Sequence, residues 1–399
     1  MRRSSAANAG WWTRAACGVA ASLVLVVSAG PAQADSIRSQ QWYLDSMQAE
    51  EMWRTSTGSG VTVAVIDSGV DAELPDLEGQ VLPGKDFSGI EGGAQSDYDG
   101  HGTGMAVLIA GTGKSNRQSG AFGLAPGAKI LPLRIVNNKA PATREILGTS
   151  MTSAIRYAAD SDAKIINISM ASLTGSSRQA EAVDYAISKG KLIFAAVGNA
   201  GNKGNPVQFP AGYPGVVGVA AVDQNIKATE ESQRGPQVDL AAPGDNIVAT
   251  CKGGTGLCRR HGTSDSAALA SASAALIWSV HPDWTANQVL RVLINTAGGP
   301  KSGEKRSDTI GYGVVRPRIA LQNPGDPGPP NVSPLPELAA ASASPAPTAG
   351  DTPQAGDGKS DDNAVLSKSN VLVAGIALAA VAVVGVPLLV FATRRRKAL

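Results

Sequence analysis

The chain has 399 residues with 43% hydrophobic content, which is enough for one large core, or two smaller ones, plus extensions. Its formal net charge is +2, but residues 1–34 and 393–399 carry three and four positive charges and no acids. The remainder therefore has a net charge of −5, which argues against nucleic-acid binding.

The first 34 residues predict a secretory signal peptide. Three arginines form a positive start, an apolar run from Ala15 to Val27 follows, and "AQA" precedes Asp35. The alternative is a first membrane helix, but this apolar run is too short to span a bilayer. We expect the chain from residue 35 onward to be exported.

Residues 35–60 predict a short extension packed on the domain that follows. The stretch "QQWYLDSMQAEEMW" supplies aromatic and methionine side chains for such packing. It is too short to form an independent inhibitory domain. We therefore do not expect activation by removal of such a domain.

Residues 61–321 predict an α/β domain. Short runs that are hydrophobic at both odd and even positions, as in strands covered on two faces, begin at Val61, Lys129, Ala163, Lys191 and Gly215. Helical patterns alternate with them over residues 102–111, 145–160, 178–189, 265–279 and 285–296. This alternation predicts a parallel sheet flanked by helices on both faces, with working residues at the carboxyl ends of the strands.

Three polar residues stand at the ends of these elements. Asp67 ends the first strand, His101 starts a helix and Ser264 starts a long helix of small residues. A serine nucleophile, a histidine base and an acid that orients the histidine form a catalytic triad. Taken singly, Asp67 and Ser264 also suit a turn and a helix N-cap.

Two further residues bear on this chemistry. Asn199 follows the strand that begins at Lys191, where its amide could donate to an oxyanion together with the backbone N–H of Ser264. His261 repeats the "HGT" tripeptide of His101, but it stands only three residues before Ser264 and would have to fold back to reach the hydroxyl. We expect His101 to be the base, with His261 as the alternative.

Three cysteines are present, and Cys17 leaves with the signal peptide. Cys251 and Cys258 remain on the oxidising side of a membrane, where a disulfide is expected. A zinc site that includes His261 is the alternative, but it has no clear fourth ligand. No acidic loop dictates a calcium site, and we predict no metal and no cofactor.

The end of the chain predicts a tethered membrane anchor. Residues 322–370 are rich in Pro, Ala, Gly and Ser, a composition typical of a flexible, disordered linker. Residues 371–392 carry no charge, and as a helix they would extend roughly 33 Å, enough to cross a bilayer. The basic residues of 393–399 predict a cytoplasmic tail, with the rest of the chain extracellular. A buried core helix is the alternative.

The segments "VIDSGVD", "DGHGTGMA", "AAVGNAG" and "HGTSDSA" resemble the Asp, His, Asn and Ser motifs of the subtilisin-like serine proteases. The signal peptide, Pro-rich linker and C-terminal helix resemble a narrower group, the mycosins, which are membrane-anchored subtilases associated with type VII secretion. The resemblance covers roughly residues 61–320. It implies a triad of Asp67, His101 and Ser264 with Asn199 in the oxyanion hole, and a substrate cleft bordered by Ser169, Met170, Ala171, Ala196, Val197 and Gly198.

Three residues depart from the family pattern. Ala268 stands where a proline is usual, Ala171 stands where a glycine is common, and Asp265 directly follows the serine. They predict a selective, slow enzyme. The resemblance implies a serine endopeptidase that acts on protein or peptide substrates, in limited proteolysis linked to type VII secretion. The alternative is a structural component of a secretion complex that retains the protease fold but has low activity.

Overall fold

A computed structural model describes residues 37–115, 119–136, 144–250 and 257–336. The chain divides into two units, Met1–Pro345 and Ala346–Leu399, and all described residues belong to the first. Among them, no helix combines the length and apolar character needed to cross a bilayer. The predicted signal peptide, membrane helix and basic tail fall outside these ranges.

The described strands are β1 Thr62–Asp67, β2 Lys85–Asp86, β3 Lys129–Arg134, β4 Ile165–Ile168, β5 Leu192–Ala196, β6 Val217–Val222, β7 Leu240–Pro243, β8 Ile247–Thr250 and β9 Leu257–Arg260. In this part of the chain, seven of them form a parallel sheet in the order β2-β3-β1-β4-β5-β6-β7. Strands β8 and β9 pair antiparallel as a separate hairpin. The parallel sheet confirms the α/β part of the predicted fold class, whereas the predicted membrane helix lies outside the described residues.

The described α-helices are α1 Trp42–Ser46, α2 Ala49–Trp53, α3 His101–Ala110, α4 Arg144–Asp160, α5 Ser177–Ser188, α6 Thr263–Val280, α7 Ala286–Thr296 and α8 Pro317–Gln322. Local chemistry explains where two of them begin. The Ser176 hydroxyl accepts from the Gln179 backbone N–H ahead of α5, and Thr285 and Gln288 form a capping box at α7.

Helices cover both faces of the sheet. Along β1, Val63 and Val65 pack into a core with α3 and α6, whereas Ala64 and Ile66 pack into a second core with α4 and α5. Because successive side chains of a strand point to opposite faces, one short apolar strand contributes to both cores. Helix α6 is buried along nearly its whole length, which explains its many small residues.

Residues 37–56 pack against the same core as α3 and α6. Tyr43, Leu44 and Met52 are at most 2% exposed. The Tyr43 hydroxyl donates to the Val248 carbonyl at 3.0 Å, and the Trp53 indole donates to the Leu124 carbonyl at 2.9 Å. This N-terminal segment is therefore held by buried apolar area and by hydrogen bonds to two separate regions of the domain.

The first part of the expected linker is not a free stalk. Residues 323–336 lie along α7, where the Arg291 guanidinium donates to the carbonyls of Pro327, Pro329 and Val332. Leu335 is only 1% exposed. Proline-rich backbone leaves its carbonyls unpaired, and the polar side chains of α7 supply donors for them. Packed structure therefore continues beyond residue 322 through the described residues 323–336.

Candidate active site

Asp67 lies at the carboxyl end of the central strand β1 and is completely buried. Its Oδ1 accepts from the Ser68 backbone N–H at 2.7 Å. Both carboxylate oxygens contact Nδ1 of His101, at 2.8 and 2.9 Å. A buried acid with this contact requires the proton on Nδ1, which leaves Nε2 as the acceptor of the neutral ring.

The loop before His101 fixes the start of α3. The buried carboxylate of Asp97 accepts from the Gly100 and Thr103 backbone N–H groups and from the Thr103 hydroxyl, all at 2.6–2.8 Å. The His101 backbone N–H donates to Asp99 at 2.7 Å. Sequence reasoning assigned no site role to Asp97, although an acid a few residues before a predicted helix is a signal for an N-terminal cap.

The pKa of His101 is raised above its ordinary value. Burial is the largest influence and by itself lowers the pKa of His101. The charge of Asp67 and its hydrogen bond act in the opposite direction and prevail, since they stabilise the imidazolium. The side chain keeps 25% of its surface exposed, so the ring remains accessible from the cleft.

Ser264 lies in the first turn of α6 and faces the same cleft as His101. Its hydroxyl donates to the Ser169 carbonyl at 2.9 Å, and the Ser169 hydroxyl donates back to the Ser264 carbonyl at 2.9 Å. Asn167 donates to the Ser169 hydroxyl at 3.0 Å and so holds that side chain. In the described structure the Ser264 hydroxyl is thus bound to Ser169 and not to the imidazole.

Asn199 is anchored through its carbonyl oxygen. Its Oδ1 accepts from the Thr263 backbone N–H at 2.9 Å and from the Thr263 hydroxyl at 3.1 Å. The Thr263 hydroxyl also accepts from the Gly198 backbone N–H at 3.1 Å. Because Oδ1 is engaged, the amide of Asn199 presents its Nδ2 donor, and Asn199 lines the cleft next to Ser264. Sequence reasoning missed the role of Thr263 in this arrangement.

The cleft has a volume of about 920 Å³. The predicted residues that line it are His101, Ser264, Asn199, Ser169, Met170, Ala171, Ala196 and Gly198. Val197 does not line it, because its side chain is fully buried in the core formed with α4 and α5. The alternation of side chains after β5 places the residues on either side of Val197 in the cleft and Val197 beneath.

Asp265 is turned away from the cleft. It is 1% exposed, and its carboxylate pairs with Nε of Arg260 at 3.0 Å. The guanidinium of Arg260 occupies the space where a Cβ at residue 104 would stand, so Gly104 makes room for it. Ala268 is completely buried in α6. The acid beside Ser264 is therefore neutralised within the protein.

The other two histidines are placed differently from His101. His261 is 71% exposed, lies 3.5 Å from a Glu231 oxygen and does not line the cleft. His281 stacks on Trp284 with ring centroids 3.7 Å apart, and burial lowers its pKa. Neither histidine is positioned as a base for Ser264.

The cysteine prediction lies only partly within the described residues. Cys258 stands on β9 opposite Ala249, whereas Cys251 falls in the gap between residues 250 and 257. Within the described ranges, no group of three or more His, Cys, Asp or Glu side chains could hold a metal ion.

The family model described as the subtilase family (Peptidase_S8) matches residues 58–313. The chain is 38% identical to thermitase from Thermoactinomyces vulgaris, over 53% of this chain and 73% of that protein. It is 36% identical to subtilisin E from Bacillus subtilis over 60% of this chain, but only 61% of that relative's length is covered.

Solved structures give a narrower likeness. MycP1 from Mycobacterium smegmatis superposes with a TM-score of 0.64 and 29% identity, covering 75% of this chain and 88% of that chain. The MycP3 protease from the type VII (ESX-3) secretion system superposes with a TM-score of 0.62 and 31% identity, covering 73% of this chain and 90% of that chain. Both are mycosins, so the predicted resemblance is confirmed. With its family match, parallel sheet and cleft, the chain belongs to the subtilase family of serine endopeptidases.

Proposed function

We propose that Asp67, His101 and Ser264 form the catalytic triad of this enzyme. The observation that carries the proposal is the doubly contacted His101–Asp67 pair, with Asp67 fully buried and His101 open to the cleft that Ser264 lines. Asp67 keeps the proton on Nδ1, so Nε2 is free to accept the Ser264 proton.

The proposed reaction begins when the Ser264 hydroxyl exchanges its bond to the Ser169 carbonyl for one to His101. The oxygen then attacks the substrate carbonyl as His101 takes its proton. The imidazolium returns that proton to the departing amine, which leaves an ester on Ser264, and water releases the acyl group by the same route. The buried charge of Asp67 stabilises the imidazolium in both halves of the reaction.

Asn199 is the proposed oxyanion donor, together with the backbone N–H of Ser264. Its support is the fixed orientation of the amide, since two bonds from Thr263 hold Oδ1. A donor held in place before charge develops contributes about 3–4 kcal/mol to the barrier reduction. Extended substrate would add as a strand along residues 169–171 and 196–198.

Covalent labelling with a fluorophosphonate probe tests this assignment. We expect labelling of the wild-type exported domain at Ser264, and its loss in Ser264→Ala and His101→Ala. His261→Ala is the matched control and should label normally, because His261 lies outside the cleft. Labelling that survives His101→Ala but is lost in His261→Ala would overturn the choice of base.

We also propose that the enzyme acts at the outer face of a cell membrane, in limited proteolysis linked to type VII secretion. One support is the apolar stretch of residues 371–392 with the basic residues that follow it. The other is the likeness to the serine protease MycP1, which is described as an essential component of the type VII (ESX-1) secretion system. The Cys251–Cys258 disulfide belongs to this proposal, because it requires an oxidising compartment.

Membrane fractionation tests the location. The full chain should sediment with membranes. Protease added to intact cells should digest its catalytic domain, because that domain lies outside the membrane. A chain that ends at residue 336 should be released into the medium. Recovery of the full chain in the cytosol, with both cysteines reactive to alkylating agents, would contradict the proposal.

A structural role without turnover is the second candidate, because Ser264 is bound to Ser169 and Asp265 departs from the family pattern. A secretion assay separates the two functions. If secretion requires the protein but is insensitive to Ser264→Ala, and the wild type does not react with the fluorophosphonate probe, the structural role is supported.

A further inference from the structure

The cleft wall at Gly198 is built over two glutamine side chains. Gly198 and Gln208 both line the cleft, and Gln233 lies behind them. A Cβ at residue 198 would collide with the Oε1 atoms of both glutamines. Gly198 also has a φ of +108°, a conformation that favours glycine. Glycine at this position therefore lets two carboxamides converge beside the cleft.

These carboxamides have no hydrogen-bond partner in the part of the chain that the structure describes. Gln233 is 0% exposed, yet both its Nε2 and its Oε1 are without a hydrogen bond among the described residues. A buried amide whose donor and acceptor are both unsatisfied is destabilising, so most proteins pair it. Gln208, which is half-buried, also makes no side-chain hydrogen bond to any described residue. A bond between the two amides would still leave one donor and one acceptor free.

The position of this pair relative to the reacting bond indicates what it binds. Gly198 directly precedes Asn199, the proposed oxyanion donor, and its backbone carbonyl accepts from the Gln233 N–H at 3.1 Å. A substrate carbonyl held between Asn199 and Ser264 places the side chain of its own residue, the acyl residue, next to residue 198. That side chain would meet the carboxamide of Gln208 first.

We propose that Gln208 and Gln233 form a polar specificity site for the acyl residue, selecting uncharged side chains that both donate and accept a hydrogen bond. A glutamine or asparagine carboxamide matches the free donor and acceptor, whereas an aliphatic side chain leaves them unsatisfied. The inference rests on the proposed function, since it places the site by the triad and by Asn199.

Steady-state cleavage of matched peptide substrates tests this site. The peptides differ only in the acyl residue, which is Gln in one and its near-isostere Met in the other. We expect kcat/KM for the Gln peptide to exceed that for the Met peptide by at least about tenfold, the value of one well-made hydrogen bond.

Two variants locate the preference. Gln208→Met and Gln233→Met should each reduce or reverse the Gln-to-Met ratio, because they replace a carboxamide by a side chain of similar size that cannot form these bonds. Gln322→Met is the matched control, since Gln322 is exposed and bonds to Glu51 away from the cleft. It should keep the wild-type ratio.

Fluorophosphonate labelling separates the two levels of the proposal. Labelling at Ser264 with equal rates for the Gln and Met peptides would overturn the specificity site and leave the triad standing. A preference for the Gln peptide that is unchanged in Gln208→Met would do the same. Absence of labelling in the wild type would overturn the proposed function and this inference with it. If Gln233→Met does not fold, the ratio in Gln208→Met decides.

Discussion

At the scale of single residues, His101 is governed by two opposing effects. Burial of its ring lowers its pKa, and the carboxylate of Asp67 raises it by a larger combined amount. A base must be neutral to accept a proton, so kcat/KM should fall as the pH drops through the pKa of His101. Because that pKa is raised, the loss of activity begins at a higher pH than for an unperturbed histidine.

Asp67→Asn removes the charge but leaves the burial. The pKa of His101 should then move from above its ordinary value to below it, and kcat should fall by about 10⁴ because the ring loses its orienting partner. The shift can be followed by NMR titration of the ring protons, with Ser264→Ala as the background in both samples. An unchanged titration midpoint would contradict the assignment of Asp67 as the partner of His101.

The Arg260–Asp265 ion pair gives a second prediction at this scale. Arg260→Met leaves a buried carboxylate unpaired, and we expect a loss of about 3 kcal/mol in the free energy of unfolding, at the low end for a buried pair because the Arg260 side chain is 20% exposed. The pKa of His101 should rise as well, since Arg260 lowers it.

Urea denaturation and the pH profile measure these two effects. The double variant Arg260→Met with Asp265→Leu should regain most of the lost stability, because no buried charge is left without a partner. Equal destabilisation in the single and double variants would show that the guanidinium contributes through packing against Gly104 and not through the ion pair.

At the scale of elements, the N-terminal segment holds together parts of the fold that are distant in sequence. Tyr43, in helix α1 of this segment, is fully buried, and its hydroxyl donates to the Val248 carbonyl of β8. Tyr43→Ala should cost about 3–5 kcal/mol in the free energy of unfolding, as expected when a buried aromatic side chain is removed. Glu50→Ala is the control in urea denaturation, since Glu50 is exposed and its pair with Arg38 should be worth less than about 1 kcal/mol.

Arg291 supplies more of the hydrogen bonds to segment 323–336 than any other side chain of α7, beside those from Thr285, Asn287 and Gln288. Arg291→Ala removes the donors for three backbone carbonyls, so limited proteolysis should cut within 323–336 much faster than in the wild type. Arg318→Ala is the control, because Arg318 bonds only to the exposed side chain of Gln322. Equal cleavage rates in the two variants would show that the remaining hydrogen bonds and the buried Leu335 hold the segment without Arg291.

The strands that the sequence predicted are buried on both faces of the sheet. Strands β1 and β5 are apolar at both odd and even positions because helices cover both faces of the sheet, and this pattern is visible in the sequence. Strand β9 carries Arg259 and Arg260, so its pattern resembles that of a loop. Strand β2 has only two residues, too few for any periodicity.

At the scale of the whole molecule, the order of strands in the sheet brings together residues far apart in the chain. Asp67 ends β1, and β4 pairs with β1 and carries the chain to Ser169, which bonds Ser264 from 95 positions away. The motifs predicted that Asp67, His101, Asn199 and Ser264 would meet. The bond between Ser169 and Ser264 could not be predicted, because it depends on the packing of α6 beneath the sheet.

The two glutamines of the cleft wall show the same limit. Gln208 and Gln233 belong to loops that follow different strands, and nothing in their sequence neighbourhoods marks them as a pair. Only the three-dimensional arrangement around Gly198 brings their carboxamides to one place. Specificity therefore depends on the whole fold, whereas the catalytic residues can be recognised from short motifs.

Alkylation by a peptidyl chloromethyl ketone tests the central claim, that His101 is the base of a triad with Ser264, most directly. The Ser264 oxygen should add to the carbonyl carbon of the bound ketone. Nε2 of a histidine within reach should then bond to the adjacent methylene carbon and displace chloride from it. Mass spectrometry of the modified protein should then place the peptide on His101, with no modification in Ser264→Ala. Modification of His261 in place of His101 would contradict the account.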